Sequence, residues 1–243
     1  MNQILCGDNL EILKTLEDKD YQLIYIDPPY NTGKVQKRNS LFYDDKFDNF
    51  VDFLIPRIKL SLTKLKDNGS IFIHLDYREV HYVKVEMDKL LGRNCFMNEI
   101  IWSYDFGARQ KTKWPTKHDS ILWYVKNPCD YIFNYDAIDR IPYITKSFGL
   151  VSKEKQEKGK TLTDVWWNTI VPTNSKEKTG YPTQKPLAIV ERIVKVHSNV
   201  GDKVLDFFAG SGTLGMAAKK NNREYTLIDQ NPDAIEVMKN RLQ

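Results

Sequence analysis

The sequence predicts an α/β domain built on a mostly parallel sheet, and three features carry that prediction. Short β-rich runs alternate with helical periods along most of the chain. Two of those runs stop at turns of unusual composition, Asp27-Pro28-Pro29-Tyr30 and a glycine-rich turn at 206–213. The 243 residues are 41% hydrophobic, enough to bury a core without disulfides or metal.

Taken in order, Gln3–Cys6 reads as a short strand, and Asp8 can cap a helix over Asn9–Leu16, where Leu10, Leu13 and Leu16 recur at helical spacing. A second strand, Tyr21–Ile26, ends at Asp27-Pro28-Pro29-Tyr30, where two prolines remove two backbone donors and stop it. The next twenty residues read as loop. A helix over Asn49–Lys66, a strand over Ser70–Leu75 and a helix over Arg78–Leu91 follow; the last carries Val80, Val83, Met87, Leu90 and Leu91 at helical spacing. Strands are expected at Phe96–Tyr104 and Ser120–Val125. Between Asn127 and Gly180 the periodicity fades into a polar, lysine-rich stretch holding KEKQEKGK and NSKEK, with Trp166 and Trp167 as an apolar island. That stretch reads as an insert with a poor core. Lys185–His197 resumes as a helix with Pro186 in its first turn, then come strand Lys203–Asp206, helix Thr213–Lys220, strand Tyr225–Ile228 and helix Pro232–Leu242.

Composition excludes several classes. The longest stretch free of Asp, Glu, Lys and Arg, Phe207 to Ala218, is twelve residues, short of the ~18–20 that span a bilayer. The N-terminal MNQILCGDNLEIL has acidic residues where an export signal needs a basic region and an unbroken apolar core, so a cytoplasmic location is expected. Cys6, Cys95 and Cys129 form no CxxC, and the four histidines show no paired ligand spacing; a reducing cytosol and no metal site are expected. Lys plus Arg number 36 against 32 acids, a net +4 that permits a polyanionic partner without demanding one.

The turn Asp206-Phe207-Phe208-Ala209-Gly210-Ser211-Gly212-Thr213 follows a strand and opens a helix, where glycines let a ligand approach the backbone. Gly210, Gly212 and Gly215 satisfy GxGxxG, and Asp229, seventeen residues after Gly212, is placed at the next strand end to accept from ribose hydroxyls. A tight turn without ligand has the same pattern. The carboxylate of Asp206 beside the glycines would repel a pyrophosphate but suits an ammonium or a sulfonium, as in S-adenosylmethionine.

Asp27-Pro28-Pro29-Tyr30 is either a rigid turn with a capping Asp or a chemical site. An exocyclic amino nitrogen of a nucleobase is a weak nucleophile because its lone pair is delocalised into the ring. Asp27 can accept one of its N–H bonds and a proline carbonyl the other, which favours a pyramidal nitrogen. Tyr30 offers a face for a base lifted from the duplex.

DPPY at 27–30, YPTQKP at 181–186 and DFFAGSGT at 206–213 together resemble the DNA amino-methyltransferases of the β class, over nearly the whole chain. The resemblance implies an S-adenosylmethionine-dependent, Rossmann-like (class I) methyltransferase fold, circularly permuted, with a seven-stranded sheet and a small target-recognition insert. The motif order agrees: from Lys203, through the joined termini, the chain gives a strand with the glycine turn, then strands ending at Asp229, Asp8 and Asp27. The resemblance implies a catalytic half at 1–126, the recognition insert at 127–180 and a cofactor half at 181–243. It makes Asp27, Pro28, Pro29 and Tyr30 the catalytic turn. It puts Gly7 and Asp8 near the cofactor adenine and Asp229 at the ribose, and makes Gln230 and Asn231, with Asp27, Asp206, Phe207, Phe208, Ala209, Gly210, Ser211, Gly212 and Thr213, further cofactor-binding residues. Thr183 and Lys185 belong to the segment leading into the cofactor, although a helix-start role explains Lys185 as well. His74 and Asp76 close a strand that recurs in the family, with no role assigned.

For duplex DNA, the stretch Gly107 to Lys126 interleaves Arg109, Lys111, Lys113 and Lys117 with Trp114, Trp123 and Tyr124, and Lys117-His118-Asp119 matches a basic-His-acid element of the family. Lys34, Lys37 and Arg38 follow the catalytic turn as a candidate lid, though Asp44 and Asp45 weaken it as a phosphate site. Pro128-Cys129 matches the nucleophile dipeptide of cytosine-C5 enzymes but reads as a packed or edge cysteine, and His197 reads as a dipole contact at a helix C-terminus. The expected reaction is methylation of N6 of adenine. Asp27 at the first motif position leans toward adenine, because the resemblance associates Ser there with N4 of cytosine. N4 of cytosine stays the near alternative, since a carboxylate or a hydroxyl could serve either amino group, and an NAD-linked oxidoreductase or a non-catalytic DNA-binding module is the distant one. The resemblance also brings a restriction-modification setting, a cognate restriction endonuclease and a homodimer into view, none specified by a residue pattern.

Overall fold

The structure, a computed structural model, describes residues 1–38, 41–107, 109–143 and 151–243, with backbone alone for 36–38 and 41–44. Strand β1 (Gln3–Cys6) is followed by helix α1 (Asn9–Thr15), whose first turn is capped by Asp8, and by β2 (Tyr21–Ile26). Next come β3 (Lys34–Arg38), β4 (Leu41–Asp45), α2 (Phe50–Lys64), β5 (Leu65–Leu75) and α3 (Val80–Leu91). Then follow β6 (Phe96–Ser103), β7 (His118–Val125), β8 (Arg140–Ile141), α4 (Lys153–Lys158), β9 (Lys160–Thr161) and β10 (Val165–Trp167). The chain closes with α5 (Leu187–His197), β11 (Lys203–Asp206), α6 (Thr213–Lys220), β12 (Glu224–Asp229) and α7 (Pro232–Leu242).

The main sheet has the order β1-β12-β11-β2-β5-β7-β6-β10. Pairing is parallel throughout except where β7 runs antiparallel to β5 and β6. First and last strands of the chain lie side by side, Gln3 opposite Thr226 and Cys6 opposite Asp229. Every residue of β2 is buried, the mark of a central parallel strand covered on both faces. Leu23 and Tyr25 point into a core shared with α5, α6 and α7, whereas Ile24 and Ile26 point into one shared with α1, α2 and α3. Among the described residues no helix is long and apolar enough to cross a membrane.

The structure differs from the sequence-based expectations in the following respects, and β5 also begins at Leu65, five residues before the expected start, where α2 ends. The main sheet has eight strands, not seven, because Trp166 of the lysine-rich stretch is buried and its segment pairs with β6, Trp166 opposite Trp102. The segment after Tyr30 is not all loop: β3 and β4 form an antiparallel hairpin, Lys34 opposite Asp45. Pro186 precedes α5 as its cap residue. His197 is no dipole contact: it packs against Phe72, Trp123 and Phe133, and burial pushes its imidazole down to about 3, so the ring is a neutral core residue at physiological pH.

Gly212 opens α6 at φ +71°, and a Cβ there would lie 2.8 Å from Met238 Cγ. Both the left-handed backbone and the contact with α7 require glycine. Gly212→Ala should destabilise the fold by about 1–2 kcal/mol and lower the unfolding midpoint by about 2–8 °C, and an unchanged calorimetric midpoint contradicts this role.

Candidate active site

Three neighbouring parallel strands each bring a carboxylate to one end of the sheet: Asp27 just past β2, Asp206 ending β11 and Asp229 ending β12. All three line a cavity of about 460 Å³, a volume suited to a nucleoside-sized ligand. The position, outside the carboxyl ends of parallel strands, is where open α/β sheets bind ligands.

The Asp27 turn is held from several sides. Tyr30 Oη donates to Asp27 Oδ1 at 2.7 Å, and Lys185 Nζ donates to Oδ1 at 2.7 Å and Oδ2 at 2.6 Å. The same ammonium lies 4.8 Å from the Tyr30 ring centroid. Asn31, at φ +53°, donates its backbone N–H to buried Asp45 at 2.8 Å, and its amide donates to Glu79 at 2.8 Å. Asp45 thus ties the hairpin to the proline turn, a structural role in place of the charge effect expected from sequence. Pro28 and Pro29 line the cavity beside Asp27.

Behind Tyr30 stands a buried polar chain. Tyr25 Oη is 2.8 Å from His74 Nδ1, His74 Nε2 is 3.2 Å from Asp119 Oδ2, and Tyr104 Oη donates to Asp119 Oδ1 at 3.0 Å. The His74 ring centroid lies 6.2 Å from that of Tyr30. Burial opposes ionisation of Asp119, but bonds from His74 and Tyr104 and the charge of Lys185 hold its carboxyl below the usual carboxylate range. Asp76 is placed differently, paired with Arg78 at the approach to α3.

The glycine turn is organised by its own carboxylates. Asp206 Oδ1 accepts from Phe208 N at 2.9 Å, and Asp229 accepts from Gly210 N and Asn231 N, each at 2.8 Å. Gly210 has φ +48°, and a Cβ there would come within 3.0 Å of the Tyr181 ring. Burial pushes the Asp206 carboxyl well above the usual range, the charges of Asp27 and Asp229 add to this, and the Phe208 N–H and Lys185 oppose it. Burial likewise raises Asp229, against its two backbone donors. Among the described residues no lysine or arginine nitrogen lies within ion-pair distance of either carboxylate. A cationic ligand in this cavity would therefore meet buried carboxylates that lack a cation.

Of the residues expected at a cofactor, Asp27, Thr183, Lys185, Asp206, Phe207, Phe208, Ala209, Gly210, Ser211, Thr213, Asp229 and Gln230 line the cavity. Gly7, Asp8, Gly212 and Asn231 do not. Asp8 caps α1, accepting from Leu10 N and Glu11 N, and pairs with Arg57 at 3.2 Å. Its neighbour Asn9 lines the cavity instead, donating to Phe207 O at 2.7 Å and accepting from Arg57 Nε at 2.6 Å. Sequence reasoning missed this residue and the aromatic wall beside it. Phe47 and Phe53 have ring centroids 4.5 Å apart, Phe53 and Phe208 6.0 Å, and the Arg57 guanidinium lies 4.1 Å over Phe53. The run Phe47, Phe50, Phe53 across the start of α2 was the available signal, but aromatic spacing of that kind also describes a core.

Among the described residues, none of those expected to contact DNA lines the cavity. Lys34, Arg109, Lys111 and Lys113 are exposed, with Arg109 paired to Asp105. Lys117 is half-buried and donates to the carbonyls of Phe106 and Gly107, closing the base of its loop; His118 starts β7. The side chains of Lys37 and Arg38 lie outside the described residues. Trp114 is 94% exposed among these basic side chains.

Asp206→Asn keeps an acceptor for Phe208 N and removes a carboxyl whose ionisation the fold opposes. Because the folded-state value is raised, protonated Asp206 stabilises the fold below about pH 4, the ordinary carboxylate range, and that stability is lost as pH rises toward the folded value. The variant of the ligand-free protein should therefore match the parent near pH 4 and unfold at a higher temperature at pH 8; equal midpoints at both pH values contradict this electrostatic reading.

A family model described as DNA methylase matches residues 21–240. Type II methyltransferase M.HpaI of Haemophilus parainfluenzae is 34% identical over 242 residues, covering 99% of this chain and 74% of that protein. DNA adenine methyltransferase YhdJ of Escherichia coli strain K12 is 33% identical, covering 98% and 82%. Among solved structures, an M1.HpyAVI–SAM complex matches with a TM-score of 0.66 at 25% identity, over 99% of this chain and 100% of that one. PvuII DNA methyltransferase, described as cytosine-N4-specific, matches with a TM-score of 0.73 over 100% of this chain and 87% of that one, at 17% identity, a likeness of fold alone. With a family match across nearly the whole chain and its motifs gathered around one cavity, this protein belongs to the DNA methylase family.

Proposed function

We propose that this DNA methyltransferase transfers a methyl group from S-adenosylmethionine to N6 of adenine in duplex DNA. The observation that carries the reading is the Asp27 carboxylate, fixed by Tyr30 and Lys185 at the wall of a cavity it shares with Asp206 and Asp229. Asp206 and Asp229 would hold the positively charged cofactor, with Gly210, Ser211 and Thr213 against it and Phe47, Phe53 and Phe208 forming an apolar wall for its adenine. When bound, it supplies an electrophilic sulfonium methyl. Asp27 accepts an N–H from the target amino group and a proline carbonyl of the turn accepts the other, which localises the nitrogen lone pair for in-line attack. The proton is lost to Asp27 or to water, and no nucleophilic side chain is required. Tyr30 gives the flipped base a ring to stack on, a contact worth ~1–3 kcal/mol. The exposed Lys34, Arg109, Lys111 and Lys113 would contact phosphates of the duplex.

Adenine is preferred over cytosine because of Asp27 at the first motif position and the 33% identity to a protein described as a DNA adenine methyltransferase. An NAD-linked activity fits poorly, since carboxylates at three strand ends would repel a pyrophosphate. Incubation of the purified protein with S-adenosylmethionine and mixed-sequence duplex DNA, followed by nucleoside mass spectrometry, should yield N6-methyladenine. N4-methylcytosine would overturn the base assignment, and no methylated nucleoside with cofactor bound would overturn the DNA substrate.

A further inference from the structure

The ammonium of Lys185 is engaged by the catalytic turn. Both of its short contacts go to Asp27, 158 residues away in sequence, and the residue is only 8% exposed. Its backbone carbonyl accepts from Thr213 Oγ1 at 3.4 Å, so the main chain is fastened to the start of α6 while the side chain reaches the proline turn. A carboxylate offers about four lone-pair positions, two on each oxygen. Oδ1 of Asp27 receives two donors, Tyr30 Oη and Lys185 Nζ, whereas Oδ2 receives Lys185 alone. One acceptor position is therefore left on Oδ2.

We propose that Lys185 is a positioning residue for methyl transfer and not a cofactor ligand. With Tyr30 it clamps the Asp27 carboxylate and leaves Oδ2 as the oxygen that accepts an N–H from the target amino group. This inference rests on the function proposed above. Bound this way, the ammonium also partly offsets the charge of the strand-end carboxylates of the cavity, Asp27, Asp206 and Asp229.

The sign of a change in cofactor affinity separates the two roles. Removing the ammonium makes the cavity more negative, so a cationic cofactor should bind as well or better. A lysine that held the cofactor directly would instead weaken binding when lost. Lys185→Met and Lys185→Arg are compared with the parent by calorimetric titration with S-adenosylmethionine alone, and by methyl transfer at saturating cofactor and DNA. For the Met variant, Kd should stay within about threefold of the parent or tighten while kcat falls by about 100-fold or more. The Arg variant should return kcat to within about tenfold of the parent, because a guanidinium fork can hold both carboxylate oxygens. A Met variant with Kd weakened about tenfold, or with kcat within about threefold of the parent, overturns the proposal. If the Met variant fails to fold, Lys185→Gln, which keeps an N–H donor without the charge, is read by the same criteria. A parent enzyme that methylates no base removes the proposed function itself, whereas an active parent with an unaffected Met variant removes only this inference.

Discussion

Three carboxylates at the ends of three adjacent parallel strands face one cavity, and among the described residues Lys185 is the cation that pairs with any of them; this is the constraint on which the site depends. Crowded buried anions repel each other, and each must find donors or give up its charge. The chain solves this differently for each. Asp27 takes Lys185 and Tyr30, Asp229 takes the backbone N–H groups of Asn231 and of Gly210 in the neighbouring turn, and Asp206 takes one and has its carboxyl driven well upward by burial. What remains is a pocket poised for positive charge, and such a pocket suits a ligand that is itself an electrophilic cation.

Packing makes that geometry rigid. None of the strands that carry the carboxylates is at a sheet edge, and apolar helices cover both faces, so their ends cannot shift independently. The segments beyond the strand ends are then pinned one by one. Asp45 and Asn31 hold the proline turn, and Arg241 of α7 donates to Ser211 O and Thr213 Oγ1 and holds the glycine turn from behind. The buried Tyr25–His74–Asp119–Tyr104 chain supports the wall behind Tyr30, linking β2, β5, β7 and the end of β6.

Much of this was legible in the sequence because it depends on local pattern. The largely apolar run of β2 that stops at two prolines, the strand-turn-helix around Gly210 and the Asn231-Pro232 start of α7 each announce their structure within a few residues. Long-range side-chain partners leave no such trace. Nothing near Lys185 in sequence points to Asp27, and although Asp8 reads as the cap of α1, nothing near it shows that Asn9 and not Asp8 turns toward the cavity. The hairpin after Tyr30 was hidden because Lys34, Gln36 and Lys37 lack the apolar alternation of a half-buried strand. The edge strand β10 was hidden by its length of three residues, and only burial of Trp166 against the sheet reveals it. Gly212 and Gly215, read as part of a ligand turn, turn out to make room for Met238 and for Leu227 and Leu242.

The most direct test of Asp27 as the acceptor at the reacting nitrogen is single-turnover methyl transfer by Asp27→Ala, with cofactor affinity measured on the same preparation. The expected result is loss of transfer with cofactor affinity largely retained, because Asp206, Asp229 and the glycine turn remain in place. Transfer at an undiminished rate would contradict the catalytic assignment of Asp27.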